Sequence, residues 1–309
     1  MIYHFILNPK SGRARKFKNV EDSIKNACKT RQLSYHIYYT TYPGDATEYV
    51  KSMVRINEDR QRFICIGGDG TLNEVVNSAP CNDNVEFGVI PNGSGNDFVN
   101  NFTNKQLFTS IEAQIDGETM PLDLIKCNNN YCVNMTNVGF DCAVAKEAAH
   151  LKKIKLFTPK FAYTAGVFKV IFRKIGTPIK LIFDDGEVYD KLFTLTAIGN
   201  GKYCGGGYCA APLAELNDGI MDVIAVNKIS RFTLFRLMRS YKKGTHLTNK
   251  LAMKHIIHKR VSHFKMQFKE PLPICIDGEI KGAINIDFEV LKNAFNFVIP
   301  KGSQIKTDF

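Results

Sequence analysis

The sequence has no Cys-x-x-Cys pair, and no run of apolar residues approaches the roughly 20 that a transmembrane helix needs. The first absence removes the usual ligand spacing of a zinc site. The second leaves only peripheral contact with a membrane. The apolar start, Met1–Leu7, lacks a basic segment before it and is too short for a signal peptide. There is no internal repeat and no low-complexity linker. The histidines show no metal-ligand spacing. The nine cysteines, at 28, 65, 81, 127, 132, 142, 204, 209 and 275, are odd in number. Several lie inside apolar runs such as Phe63-Ile64-Cys65-Ile66, so they read as reduced, buried or semi-buried thiols of a cytoplasmic protein. Acidic residues are also scarce: 30 Asp and Glu face 41 Lys and Arg, a formal net charge of +11. That excess favours an anionic partner, whether nucleotide, nucleic acid, acidic substrate or anionic membrane.

What is present reads as two globular domains. The chain has 309 residues, 44% hydrophobic and 23% charged, and roughly 150 residues per domain is an ordinary size. Its first part alternates strand-like and helix-like patterns. Strands are expected at Tyr3–Leu7, Ser34–Thr40, Arg62–Ile66 and Phe87–Ile90, with helices at Phe17–Thr30 and Thr71–Asn77. A further helix is expected after Gly44, with Asp45 and Glu48 as a capping box. Strand–loop–helix alternation with near-continuous apolar strands implies an α/β domain on a parallel sheet. From about residue 124 the pattern becomes β-rich with turn punctuation. It is interrupted by helical stretches near 143–174 and 230–243.

Three Gly-containing loops each follow an apolar strand: Asn8-Pro9-Lys10-Ser11-Gly12-Arg13, Gly67-Gly68-Asp69-Gly70-Thr71-Leu72-Asn73-Glu74, and Pro91-Asn92-Gly93-Ser94-Gly95-Asn96-Asp97-Phe98. An open parallel sheet would gather all three at its carboxyl edge. Glycine lets a backbone approach a phosphate closely and aim N–H groups at it. Lys10 and Arg13 add positive charge. No G-x-G-x-x-G fingerprint and no Gly-Lys-Ser/Thr occurs, which argues against ordinary hydride transfer and P-loop ATPases. Asp69 and Asp97 lie within the phosphate-type loops, and Asp123 lies near the domain junction. A carboxylate there repels phosphate unless a cation intervenes, as Mg²⁺ does in phosphoryl transfer. Asp69 also stands where the following helix would take an N-cap, and Asp123 where a surface acid can end a strand.

On these loops the chain resembles the diacylglycerol kinase catalytic-domain family, especially its soluble bacterial lipid kinases. Gly-Gly-Asp-Gly-Thr alone also occurs in NAD kinases and phosphofructokinases. Here it is joined, in order, by Asn137-Val138-Gly139-Phe140-Asp141, by Gly199-Asn200-Gly201 through Gly205-Gly206-Gly207, by Ala211-Pro212 to Asp218-Gly219, and by Asp277-Gly278-Glu279. The resemblance implies an NAD-kinase-like α/β domain at 1–123 and a β-rich sandwich domain at 124–294, with about 295–309 packing back on the first. It implies ATP at Asn8, Pro9, Lys10, Ser11, Gly12, Thr40, Gly67, Gly68, Asp69, Gly70, Thr71, Leu72, Asn73 and Ser94. It implies a water-mediated magnesium network at Asp69, Asp97 and Asp123, and a second metal held by the Asp218 side chain with the backbone carbonyls of Glu215 and Ile220. Asp277 or Glu279 would take the proton of the acceptor hydroxyl. Asp277 is favoured, with Glu279 orienting it or acting in its place.

The activity implied is an ATP- and Mg²⁺-dependent lipid kinase of phospholipid metabolism, converting diacylglycerol to phosphatidic acid. Such a protein would be cytoplasmic, touch the inner membrane face peripherally, and be compatible with a homodimer. Other readings are NAD kinase and a non-catalytic nucleotide or lipid sensor. Two basic, aromatic segments are candidates for the membrane face. The first holds Lys152, Lys153, Lys155, Lys160, Lys169, Arg173 and Lys174 among Phe157, Phe161, Tyr163, Phe168 and Phe172. The second runs from Lys254 to Lys269 with His255, His258, Lys259, Arg260 and His263. No nucleic-acid motif accompanies them.

Overall fold

The computed structural model describes residues 1–12, 17–152, 159–173 and 175–307. The chain divides into two units. One is Met1–Leu124 together with the stretch from Lys292, and the other is Ile125–Leu291. The first contains β1 (Ile2–Leu7), α1 (Phe17–Thr30), β2 (Ser34–Tyr39), α2 (Asp45–Ile56), β3 (Gln61–Gly67), α3 (Asp69–Val76), β4 (Val85–Pro91) and α4 (Ile111–Ile115). It also holds most of β5 (Glu118–Cys127), which leads into the second unit.

The first unit is a parallel sheet. β1 pairs with both β2 and β3, β3 with β4, and β4 with the end of the chain at Asn296 and Phe297, all parallel. β1, β3 and β4 are buried almost throughout, as strands covered on both faces must be, whereas the edge strand β2 alternates. One face packs Phe5, Leu7, Ile64 and Ile66 against Ile24 and Cys28 of α1 and Ile111 and Ile115 of α4. Arg62, 6% exposed, pairs with buried Glu86 at 2.5 Å and donates to the carbonyls of Gln114, Ile115 and Gly117. These partners satisfy both a buried charge and the carboxyl end of α4. Phe295 and Phe297 complete a cluster with Phe87, Phe98, Phe102 and Phe108.

The expected capping box does not form. Gly44, in the left-handed region at φ 90°, occupies the N-cap of α2, and no side chain caps it. Asp45 turns back to accept from Tyr38 Oη, Thr41 N and Thr41 Oγ1, and Glu48 accepts from Tyr42 Oη. A tight turn with three nearby donors outcompetes the helix end for that carboxylate.

The second unit begins with β6 (Asn130–Cys132), β7 (Met135–Gly139), α5 (Phe140–Lys152), α6 (Pro159–Ile171), β8 (Thr177–Phe183) and β9 (Val188–Gly199). A small hairpin, β10 (Tyr203–Cys204) and β11 (Tyr208–Cys209), precedes β12 (Met221–Asn227), α7 (Arg231–Lys243), α8 (Lys250–Met253), β13 (Ile256–Val261), β14 (His263–Ile276) and β15 (Glu279–Ile299). Pairing here is antiparallel. β8 and β7 each bridge β9 and β14, at different stretches of those long strands. The strands therefore fold over a core that includes Phe183, Phe193, Phe264, Met266, Ile274 and Phe288. Helices α5, α6 and α7 build a further apolar layer over Leu195 and Val226.

All nine cysteines are unpaired thiols. Cys81 departs from the expectation of burial and is exposed. Among the described residues no helix is long and apolar enough to cross a membrane.

Candidate active site

The first unit brings its three Gly loops together at the carboxyl ends of β1, β3 and β4. Asn8 Nδ2 donates to Thr71 Oγ1 at 3.0 Å, joining the first loop to α3. Ser11 Oγ donates to the Asn92 carbonyl, and Asn92 Nδ2 returns a bond to the Ser11 carbonyl, joining the first loop to the third. The second and third loops also meet backbone to backbone at Gly68 and Gly93. A Cβ on Gly93 would stand 2.5 Å from Gly68 Cα, and one on Gly12, at φ 72°, would stand 2.4 Å from the Asn92 oxygen. Only glycine permits this approach. Thr40, just past β2, lies at the same edge, its N–H donating to Leu7 O at 2.9 Å. Lys10 Nζ donates to Thr41 O. Arg13 lies outside the described residues.

Asp69 opens α3, but Gly68 is the N-cap and no side chain caps it. The Asp69 carboxylate instead crosses to the third loop, accepting from Asp97 N at 3.0 Å and Phe98 N at 3.1 Å. It therefore fixes the loop that carries Ser94 and Asp97. A Cβ on Gly95 would lie 3.1 Å from Asp69 Oδ2 and 3.4 Å from Asp97 Oδ2. Two carboxylate oxygens thus converge on residue 95, where a side chain would crowd them. Two hard carboxylate oxygens close together are the donor type a hydrated divalent cation takes. Asp123 is 1% exposed and accepts from Asn293 N at 2.8 Å. Among the described residues no three His, Cys, Asp or Glu side chains cluster closely enough to hold a metal by themselves. Phosphate oxygens and water must complete such a shell.

The remaining predicted residues belong to the second unit. Asp277 and Gly278, at φ 46° and 91°, form the two-residue turn joining β14 to β15, with Ile276 paired to Glu279. Positive φ at both turn positions is what such a hairpin requires, and Asp-Gly supplies it. The Asp277 carboxylate is turned inward. It accepts from Val133 N at 2.6 Å, Asn134 N at 3.0 Å, Met135 N at 2.9 Å and Cys132 Sγ at 3.3 Å. Burial pushes its pKa up, and the three amides oppose that push. Glu279, two residues on, is exposed. Asp277 is thus spent on holding the β6–β7 connection, and Glu279 carries the available carboxylate.

The loop expected to hold a second metal is arranged otherwise. Asp218 pairs through one oxygen with Arg260 and accepts the Ile220 N–H at 3.0 Å through the other. Arg260 also reaches Asp222, which is fully buried and bonded to His258 at 2.6 Å. Strand register places Asp222 directly opposite Arg260. With Arg260 on one oxygen and the Ile220 N–H on the other, the Asp218 carboxylate is already engaged in this arrangement.

Asp141, from the Gly-Phe-Asp turn, lies in a small cavity of about 50 Å³ lined mostly by apolar side chains. Tyr241 Oη donates to it, and burial raises its pKa to about 6. The segment from Lys254 to Lys269 is not a free basic face. Lys259 pairs with Asp185 and Glu187, Arg260 with Asp218 and Asp222, and His263 with Asp184 and Asp287. In the other basic segment, Lys153, Lys155, Phe157 and Lys174, with the side chains of Lys152, Lys160, Phe161 and Tyr163, lie outside the described residues.

Comparison with known proteins places the chain in a family. The diacylglycerol kinase catalytic domain matches residues 3–127. The YegS C-terminal NAD kinase beta sandwich-like domain matches residues 134–299. A diacylglycerol kinase of Bacillus subtilis (strain 168) is 28% identical, covering 96% of this chain and 95% of its own. A Shewanella frigidimarina protein named "Probable lipid kinase YegS-like" is 32% identical over 77% of this chain and 76% of its own. A crystal structure of a diacylglycerol kinase from Bacillus anthracis str. Sterne shares the fold, with a TM-score of 0.69, 21% identity and 97% of each chain covered. The two domain models together span nearly the whole sequence in the order found here, and the chain belongs to the diacylglycerol kinase catalytic-domain family of lipid kinases.

Proposed function

We propose that this lipid kinase transfers the γ-phosphate of ATP to the primary hydroxyl of diacylglycerol, giving phosphatidic acid for phospholipid metabolism. The observation that supports this most strongly is the meeting of three Gly loops where the Asp69 and Asp97 carboxylates converge on Gly95. Backbone amides of Gly12 and of Gly68 to Gly70 cradle the phosphates, beside the side chains of Ser11 and Thr71. Asn8, Thr40, Asn73 and Ser94 add polar contacts. Asp69 and Asp97, with Asp123, hold magnesium through water, and that ion supplies neutralisation of the developing charge. Glu279 accepts the hydroxyl proton as the oxygen bonds to the γ-phosphorus. The bond from that phosphorus to the β–γ bridging oxygen breaks, and ADP departs. Asp277 is a positioning residue for the Glu279 turn. The protein would work in the cytoplasm and visit the inner membrane face.

The test is transfer of labelled γ-phosphate from ATP with Mg²⁺ to a panel of lipid hydroxyls in mixed micelles, with NAD as a parallel acceptor. Label in phosphatidic acid, lost on chelation of Mg²⁺, is expected. Label in NADP, or in another lipid to the exclusion of diacylglycerol, refutes the assignment of the acceptor.

A further inference from the structure

The second unit exposes four phenylalanines on one face. Phe168 is 56% exposed, Phe172 76%, Phe232 75% and Phe235 62%. The first two belong to α6 and its end, and the other two to the first turns of α7. All four line one open apolar cleft of about 330 Å³, with Ile171, Tyr208 and Met238 among its other walls. The Arg231 guanidinium donates to the carbonyls of Phe172 and Arg173, so the start of α7 is tied to the end of α6 and the two Phe pairs are held together. Large aromatic side chains scattered singly on a surface need no explanation, but four converging on one cleft do.

Charge identifies what covers them. α7 reads Arg-Phe-Thr-Leu-Phe-Arg-Leu-Met-Arg-Ser-Tyr-Lys-Lys, with five cations and no acid. Arg231, Arg236, Arg239, Lys242 and Lys243 are all exposed, and none of them makes an ion pair among the described residues. By contrast, Lys259 and Arg260 of β13 and Lys265 of β14 are matched with carboxylates. A second copy of this chain is a poor occupant, because a two-fold contact through this face would set α7's unmatched cations against their own copies. An aromatic patch beside unpaired cations suits a surface that is negatively charged outside and hydrocarbon beneath.

We propose that this face of the second unit docks on an anionic bilayer. Phe168, Phe172, Phe232 and Phe235 enter the acyl layer, and the α7 cations lie at the level of the lipid phosphates. The proposal takes from the functional reading only that the acceptor resides in a membrane. It adds the insertion surface, built from α6 and α7, which are remote in sequence from every residue assigned above to ATP, magnesium or proton transfer.

The experiment is co-sedimentation of the full chain with vesicles of equimolar phosphatidylcholine and phosphatidylglycerol, against phosphatidylcholine alone. Wild type is expected to bind the anionic vesicles, less so as salt rises. The double variant Phe232→Ser, Phe235→Ser, changed only at exposed side chains, should melt as wild type and lose on the order of 100-fold in partitioning, from the transfer cost of two aromatic side chains. Arg236→Gln with Arg239→Gln should lower binding to anionic vesicles and leave the weak binding to neutral ones unchanged. Wild-type partitioning by the Phe variant overturns the proposal. So does loss of a dimer by that variant in sedimentation velocity, which would assign the face to self-association. Phosphate transfer to a short-chain, dispersed diacylglycerol separates the two readings. Its absence from wild type, alongside Phe-dependent vesicle binding, would refute the proposed acceptor and leave the docking surface standing.

Discussion

The Asp277-Gly278-Glu279 hairpin offers a test in which stability and turnover move apart. In Asp277→Asn, Oδ1 can still accept from Asn134 N, Met135 N and Cys132 Sγ, and asparagine tolerates the φ of 46°. The oxygen that accepts from Val133 N at 2.6 Å becomes an NH₂ group, and two donors then face each other. A hydrogen bond to a charged group is worth about 1.5–3 kcal/mol, and an orphaned buried N–H costs a similar amount. A loss of about 2–3 kcal/mol is expected, roughly 4–12 °C in the melting of a unit this size. Glu279→Gln alters an exposed side chain, so its melting should match wild type, while kcat falls roughly 10²–10⁴-fold with the loss of the base. Thermal melts and labelled-phosphate transfer on the same preparations give both readouts. An Asp277→Asn variant that melts as wild type and is inactive, beside an active Glu279→Gln, would refute the reasoning and return the proton to Asp277.

Two further outcomes follow from the second unit. Arg260→Gln should cost about 1–3 kcal/mol, less than a fully buried pair because the arginine side chain is 38% exposed, while EDTA leaves the wild-type melt unchanged; a chelator-induced drop in Tm would restore a metal to Asp218. Asp141 has its pKa raised in the fold, so its favourable contribution is full below its ordinary value of 3.8 and is lost as pH rises through about 6. Asp141→Asn should therefore raise stability at pH 7.5 by up to about 3 kcal/mol, at about 1.4 kcal/mol per unit, and by nothing at pH 3.5; equal denaturation midpoints at pH 7.5 would contradict this.

The strands of the first unit were legible because a sheet covered on both faces demands continuous apolar runs, and runs such as Phe63–Ile66 have no other use. The meeting of the three Gly loops was legible for a related reason, since each sits at the end of one of those runs. What could not be read were the partners chosen by side chains. Asp45 and Glu48 have the spacing of a capping box, yet Tyr38, Thr41 and Tyr42 take both carboxylates. Asp277 meets amides about 143 positions away in sequence, so no local pattern distinguishes a held carboxylate from a free one. Asp218 and Arg260 are 42 residues apart, and only the β12–β13 register brings them together. The Phe-rich face was half visible, in Phe168 and Phe172. Its other half carried a signal that could have been found, a helix with five cations, three aromatics and no acid.

The parallel pairing of β4 with Asn296 and Phe297 has a consequence for synthesis on the ribosome. Phe295 and Phe297 pack with Phe87 and Phe98 in the first unit, but they are translated after every residue of the second. The nucleotide-binding unit cannot close its aromatic cluster when its own first 124 residues emerge. It must wait, with Phe87, Phe98, Phe102 and Phe108 incompletely covered, for roughly 170 more residues at about 5–20 residues per second. For many seconds the nascent chain therefore presents an uncovered sheet edge beside β4, open to chaperones or to neighbouring nascent chains.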